Sequence, residues 1–322
     1  MIEQNPVEIS KIKQEKSLKE LLEFSILNID KPSGPTSFDV SDFVRKTLKN
    51  AGIEMRKTSH FGTLDPKVTG VLPIALNRAC KLTGYFLGHN KEYMGVMRFH
   101  KDLSKKEVEE AIKKKFLGKI MQKPPVKSRV KRVEREREIK SFEILEQNQD
   151  NKKDFSFKTE VQGGTYIRKL ISDLGDYLEI SAHMLNLKRI RAGIFNENES
   201  ISFENFEKAV DEYKNGNEDM LRNILIPGEI ISEIYHVVQV KNDVIKKLLT
   251  GKPIFHEDLI GNNSTSANNK AKNIAGRDSI FKVNTGQLIC AFNNQQFIGV
   301  YKVINDTESG IFAKPDFVLQ PL

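Results

Sequence analysis

At 322 residues the chain is longer than one ordinary domain, which favours two and leaves room for a sizeable core. Its 39% hydrophobic and 29% charged residues, with 20 Gly and 11 Pro, exclude a collagenous, fibrous or largely disordered chain. The net charge of +8 is concentrated: between Lys101 and Lys140 stand 15 basic and 7 acidic residues, so one segment equals the whole excess. Such a field draws nucleic acid first and an anionic membrane surface second, by releasing counterions, although a Lys-rich stretch can also be a solvated helix face.

Several other classes lose support. The longest apolar runs, such as Val71 to Leu76 with Pro73 inside it, fall short of the roughly 20 residues a bilayer-spanning helix needs. The opening Met-Ile-Glu-Gln-Asn-Pro lacks the basic-then-apolar pattern of a secretory signal. Cys80 and Cys290 form neither a disulfide framework nor a Cys-x-x-Cys half-site, which fits a reducing cytoplasm. His60, His89, His100, His183, His236 and His256 show no metal-ligand spacing, and no glycine-rich phosphate loop is present.

In chain order, a polar Lys/Glu-rich arm runs to about Glu20, and Leu21 to Asp30 reads as a strand ending at the turn residues Lys31-Pro32-Ser33-Gly34-Pro35. Thr36 or Ser37 caps a helix that buries Val40, Phe43, Val44 and Leu48 and stops at Gly52. Tyr93 to His100 is a strand, and Ser104-x-x-Glu107 is a capping box opening a helix that buries Val108, Ala111, Ile112 and Phe116. Phe155 to Val161 alternates as a half-buried strand. Thr165 to Leu178 carries Ile167, Leu170, Ile171, Leu174 and Leu178 on one helical stripe, with Arg168 off it. Ala182 to Arg191 reads as a further helix, and another begins near Ser202 with Phe203, Phe206, Ala209 and Val210 on one side. From about Ser232 short β-like runs (Tyr235 to Val240, Phe281 to Val283, Leu288 to Phe292, Phe297 to Ile304) surround one helix ending at Gly251. Asn293 to Gln296 is a hairpin loop and Asn262 to Asn273 a low-complexity loop.

The densest motif is His60-Phe61-Gly62-Thr63-Leu64-Asp65-Pro66. An Asp before Pro often only caps a turn, but this block resembles the catalytic motif of the pseudouridine synthases of the TruB and dyskerin type. Leu27 to Ser37 is similar to the family's first motif, Lys91-Glu92-Tyr93 to the strand with its active-site tyrosine, and Gly164-Thr165-Tyr166-Ile167-Arg168 to the motif with its arginine. Gln122 to Arg132, and Ala182-His183-Met184 through Gly193, resemble stretches typical of the dyskerin branch. Ser59 and Phe61 stand where the family has small residues, and Arg129 where this branch commonly has alanine.

The resemblance implies an α+β fold: a mixed, mainly antiparallel central sheet with flanking helices over residues 25–230, and a small β-barrel-like PUA domain over 231–322, with an N-terminal arm (1–24) packing on the latter. It implies an isomerase that detaches uracil from C1′ of its ribose, turns it and rejoins it through C5, with neither cofactor nor metal. Asp65 is the carboxylate that attacks the sugar or takes its proton. Arg168 beside it keeps it charged and directed. Tyr93 is the aromatic platform for an everted uridine, or an ordinary strand aromatic. His60, Tyr166 and Leu187 line the pocket, where Tyr166 and Leu187 are equally suited to core packing. Lys31, Lys127, Arg129, Lys131 and Arg132 read as phosphate contacts that position RNA without reading sequence.

In the dyskerin branch an H/ACA guide RNA pairs with the substrate, so the implied partners are guide RNA, rRNA and tRNA, Nop-type and Gar-type accessory proteins and a kink-turn-binding ribosomal-like protein. Two other readings are a guide-independent tRNA pseudouridine synthase and a non-catalytic RNA-binding scaffold; Asp65, Tyr93 and Arg168 argue against the scaffold.

Overall fold

The structure is a computed structural model and describes residues 7–125, 131–260 and 283–320. The chain divides into two compact units, residues 17–226 and residues 227–322 together with 1–16. Among the described residues no helix is long and apolar enough to cross a membrane.

The larger unit is a mixed sheet with helices packed on it. Its strands are β1 (Ser25–Lys31), β2 (Thr58–His60), β3 (Thr69–Leu76), β4 (Lys91–Phe99), β5 (Gly118–Gln122), β6 (Arg135–Gln147), β7 (Asp154–Val161), β8 (Ala182–Ala192) and β9 (Phe195–Asn196). They lie in the order β1-β3-β8-β4-β7-β6-β5, with β2 on β3 and β9 on β8. The β3–β8 pair is parallel, whereas β1–β3, β4–β8, β4–β7, β6–β7 and β5–β6 are antiparallel. This is the expected α+β class with a mainly antiparallel sheet.

The helices start where the sequence has caps. Thr36 accepts from Asp39 N at 3.1 Å and donates its own N–H to Asp39 at 2.8 Å, opening the helix Ser37–Asn50. Ser104 and Glu107 do the same for Lys105–Lys115. Val40, Val44 and Leu48, then Val108, Ala111 and Ile112, then Leu170, Ile171 and Leu174 of the helix Ile167–Tyr177, turn inward onto Leu72, Met97 and Phe157 of the sheet. Each fully buried aliphatic side chain contributes about 1.5–3 kcal/mol relative to exposure.

Two segments differ from the sequence reading. Leu21 to Asp30 is not one strand: Ser17 and Glu20 form a capping box that starts a helix over Leu18–Glu23, and the strand begins only at Ser25. Ala182 to Arg191 is not a helix but strand β8. Its Leu, Lys and Arg residues favour a helix by a few tenths of a kcal/mol each, while ladders to β4 along one side and to β3 and β9 along the other satisfy its backbone as a strand.

The smaller unit contains a five-stranded sheet in the order His236–Gln239, Leu288–Asn293, Gln296–Asp306, Ile311–Val318, Ile254–Phe255. The loop at Asn293 to Gln296 closes a hairpin in which Asn293 faces Gln296 and Asn294 takes φ +52°; Ile311–Val318 had no sequence-level expectation. Val238, Ile289, Ile298, Tyr301 and Phe312 form its core. The helix Ile9–Glu15 belongs to this unit: Ile12 is buried, Lys16 pairs with the buried Glu229, and Glu8 N donates to Gln295 Oε1 at 2.9 Å. The Asn262 to Asn273 loop lies outside the described residues.

Candidate active site

Asp65 sits on the loop joining β2 to β3, and the loop's backbone is held on both sides of it. On one side Ser37 Oγ donates to Leu64 O (3.0 Å) and accepts from Leu64 N (2.8 Å). On the other, Gly34 N and the Lys31 ammonium both donate to Pro66 O, each at 2.9 Å. Phe61 opens the loop from a buried stack on Phe86 (4.7 Å between centroids), with Phe195 against both rings. A large aromatic at this position thus anchors the loop, and Gly62 beside it takes φ +109°. Val68 N donates to Asp65 O (3.0 Å), turning the chain into β3. A fixed backbone leaves the Asp65 side chain few directions, which is what orientation-dependent catalysis needs.

Arg168 arrives from a different element. Gln122, at the end of β5 and buried, accepts from Tyr166 N (2.8 Å) and donates to Tyr166 O (3.1 Å). That pins the residue preceding the helix Ile167–Tyr177, whose second residue is Arg168. Arg168 Nε then lies 2.9 Å from Asp65 Oδ2. Two residues 103 positions apart in sequence therefore meet as a carboxylate held by a guanidinium.

Lys31 is not a phosphate contact. It is fully buried, and its ammonium donates to the carbonyls of Pro32, Pro66 and Val68, all at 2.9 Å. Burial pushes the ammonium below the usual lysine range, and the nearby Asp65 charge acts against that shift. Charge alone does not reveal which side of the backbone a lysine faces, which is why sequence suggests an RNA contact where the fold has a loop staple.

Tyr93 is 8% exposed on β4. In register, Gly70 of β3, Arg189 of β8 and Tyr93 of β4 form one row across three neighbouring strands. Leu187 is buried two residues before Arg189, on the same face, and Tyr166 is half-buried. His60 ends β2; its ring nitrogens meet Ser41 Oγ (3.3 Å) and Thr63 Oγ1 (3.1 Å). Burial, with the Arg189 charge adding to it, holds its imidazole below the ordinary range. Lys131 and Arg132 are exposed, the latter donating to Pro124 O at 3.3 Å. Lys127 and Arg129 lie outside the described residues.

Three residues of this arrangement had no role in the sequence reading. Arg189 was hidden by reading its segment as a helix; an alternating pattern would have placed it on Leu187's face. Ser37 reads in sequence as a helix cap, a task Thr36 performs. Gln122 opens a stretch that resembles the dyskerin branch, but nothing local shows that its amide brackets Tyr166.

A carboxylate on a clamped loop, a guanidinium that directs it, and a phenol on strand β4 of the same sheet suit attack or proton transfer at a bound ring system. Residues 49–167 match the N-terminal domain of the TruB family pseudouridylate synthases, and residues 168–232 the C-terminal domain of tRNA pseudouridylate synthase B. A probable tRNA pseudouridine synthase B of Korarchaeum cryptofilum is 38% identical over 239 residues, 74% of this chain and 71% of that protein. One from Methanocaldococcus jannaschii is 38% identical over 242 residues, 75% of this chain and 69% of that protein. Among solved structures, a Cbf5-Nop10-Gar1 complex superposes with a TM-score of 0.80 at 28% identity, covering 96% of this chain and 89% of that one. An H/ACA RNP bound to a substrate RNA containing 2′-deoxyuridine gives 0.79 at 28% identity, with the same coverage. Identity of this order across more than two thirds of a relative's length means that the chain belongs to the TruB family of pseudouridine synthases, isomerases that act on RNA.

Proposed function

We propose that this chain isomerises uridine to pseudouridine as the catalytic subunit of an H/ACA guide-RNA ribonucleoprotein acting on rRNA and tRNA. The observation that carries the catalytic part is the 2.9 Å contact between Arg168 and Asp65 on a loop stapled by Ser37 and Lys31. In this reading the Asp65 carboxylate acts at the ribose while the N1–C1′ bond breaks. The uracil turns, C5 bonds to C1′, and the C5 proton leaves as N1 gains one, so no group is lost and no electrons are exchanged. Eversion of the uridine costs a few kcal/mol, and stacking on Tyr93 returns about 1–3 kcal/mol. His60, Tyr166 and Leu187 line the pocket, and Lys127, Arg129, Lys131 and Arg132 meet phosphates.

The smaller unit, with its five-stranded sheet, is read as a PUA-type RNA-binding domain over 231–322, with the start of the N-terminal arm (1–24) packing on it, and 25–230 as the catalytic domain. Likeness to a Cbf5-Nop10-Gar1 complex over 96% of the chain supports Nop-type and Gar-type partners; a kink-turn-binding ribosomal-like protein is a further partner in this reading, implied by the family resemblance alone. A second reading, direct action on tRNA without a guide, is favoured by the names of the relatives, probable tRNA pseudouridine synthases B.

The test is to incubate the protein with uridine-labelled RNA, with and without guide RNA and accessory proteins, and to map pseudouridine by chemical adduct and primer extension. Product only with guide supports the first reading and product on bare tRNA the second. No product under any condition refutes both.

A further inference from the structure

Arg189 is among the largest fully buried side chains of the described residues, at 1% exposure. Among those residues no carboxylate pairs with it. Its guanidinium donates to Val71 O (Nε, 2.8 Å) and Gly62 O (3.0 Å), and Tyr93 stands opposite it on β4 with its hydroxyl close enough to interact with the charge. Burying a charge without a counter-charge costs several kcal/mol even after relaxation. A methionine of similar length would fill the space without that penalty, so packing does not account for an arginine here. Its two carbonyl partners and its cross-strand neighbour do: Gly62 lies three residues before Asp65, Val71 six after it, and Tyr93 is the residue opposite Arg189 on β4.

We propose that Arg189 is a positioning residue that locks both arms of the Asp65 loop and the phenol of Tyr93 into one rigid unit, so carboxylate and phenol keep a fixed separation while the uracil turns. This rests on the catalytic reading above. Because a guanidinium only donates, the bond proposed here makes the phenol oxygen the acceptor and leaves the phenol's own proton for another partner. The row of Gly70, Arg189 and Tyr93 leaves no room for slack: a Cβ on Gly70 would fall 2.2 Å from Arg189 O, so the strands are in backbone contact there.

Arg189→Lys keeps the charge and loses the fork, while Arg189→Gln keeps a planar donor and loses the charge. In each, single-turnover conversion of labelled RNA should fall about 100-fold, with RNA affinity within about twofold and with the Tyr93 Cζ resonance displaced. That resonance is assigned by its loss in Tyr93→Phe. Full-rate conversion, or an unmoved Tyr93 resonance in both folded variants, overturns the proposal. If neither variant folds, Tyr93→Phe in arginine-labelled protein decides: removing the acceptor should move an Arg189 Nη–H signal, and an unchanged signal overturns the contact. Wild-type protein that makes no pseudouridine defeats the catalytic reading instead, and the two resonances report on the contact regardless of turnover.

Discussion

Arg168 Nε lies 2.9 Å from Asp65 Oδ2, and the two side chains are 53% and 46% exposed. An ion pair this open contributes only about 0–1 kcal/mol to stability, so its consequence is the direction of the carboxylate. Arg168→Gln should therefore leave the thermal midpoint nearly unchanged while pseudouridine formation falls about 100-fold or more. Asp65→Asn should abolish product with RNA affinity nearly unaltered. Tritium release from C5-labelled RNA, beside a melting curve, checks both; retained turnover in Asp65→Asn would remove the carboxylate from the mechanism.

Ser37 reaches across to Leu64 and satisfies both its N–H and its C=O in a buried setting. Ser37→Ala strands those two groups, at about 1–3 kcal/mol. Denaturant unfolding should show that loss, and turnover at a temperature where the variant is fully folded should also drop, since the residue preceding Asp65 is no longer held. A variant as stable and as active as wild type would refute the clamp.

Gly70 takes φ +99° against the backbone of Arg189. Gly70→Ala forces a Cβ into a carbonyl oxygen and should destabilise by more than about 4 kcal/mol. Gly34, at φ +119° with nothing within 4 Å of an added Cβ, supplies the contrast: its alanine variant should lose only about 1–3 kcal/mol of backbone strain. Equal losses would mean that φ, rather than the β3–β8 contact, decides the penalty.

His60 is held below the ordinary imidazole range by burial and by the Arg189 charge. The folded protein therefore binds a proton at His60 less readily than the unfolded chain does. Its contribution is intact above the unfolded imidazole pKa of about 6.5 and is lost as pH falls from there towards the lower folded value. His60→Gln lacks this term, so between about pH 7.5 and about pH 5 its unfolding free energy should fall less than that of wild type. Parallel pH curves would exclude His60 as a source of acid sensitivity.

Local signals carried much of the fold. The cap at Thr36, the Ser104-x-x-Glu107 box, the alternation from Phe155 to Val161 and the stripe from Ile167 to Leu174 each mark an element that the structure contains. They work because caps and periodicity act within a turn or two of chain. The Ser17-x-x-Glu20 box is a signal of the same kind, and it starts the helix Leu18–Glu23.

Read alone, the chain determines its class, its helix starts and the chemistry available at Asp65, Tyr93 and Arg168, since these depend on residue type and short-range spacing. Tertiary structure decided the rest. β8 is a strand because neighbours on both sides satisfy its backbone, Lys31 is a staple because three carbonyls surround it, and Arg189 is buried because its row crosses the middle of the sheet. Apart from the Pro32 carbonyl beside Lys31, the partners that set these outcomes lie tens of residues away, and no local pattern encodes their approach.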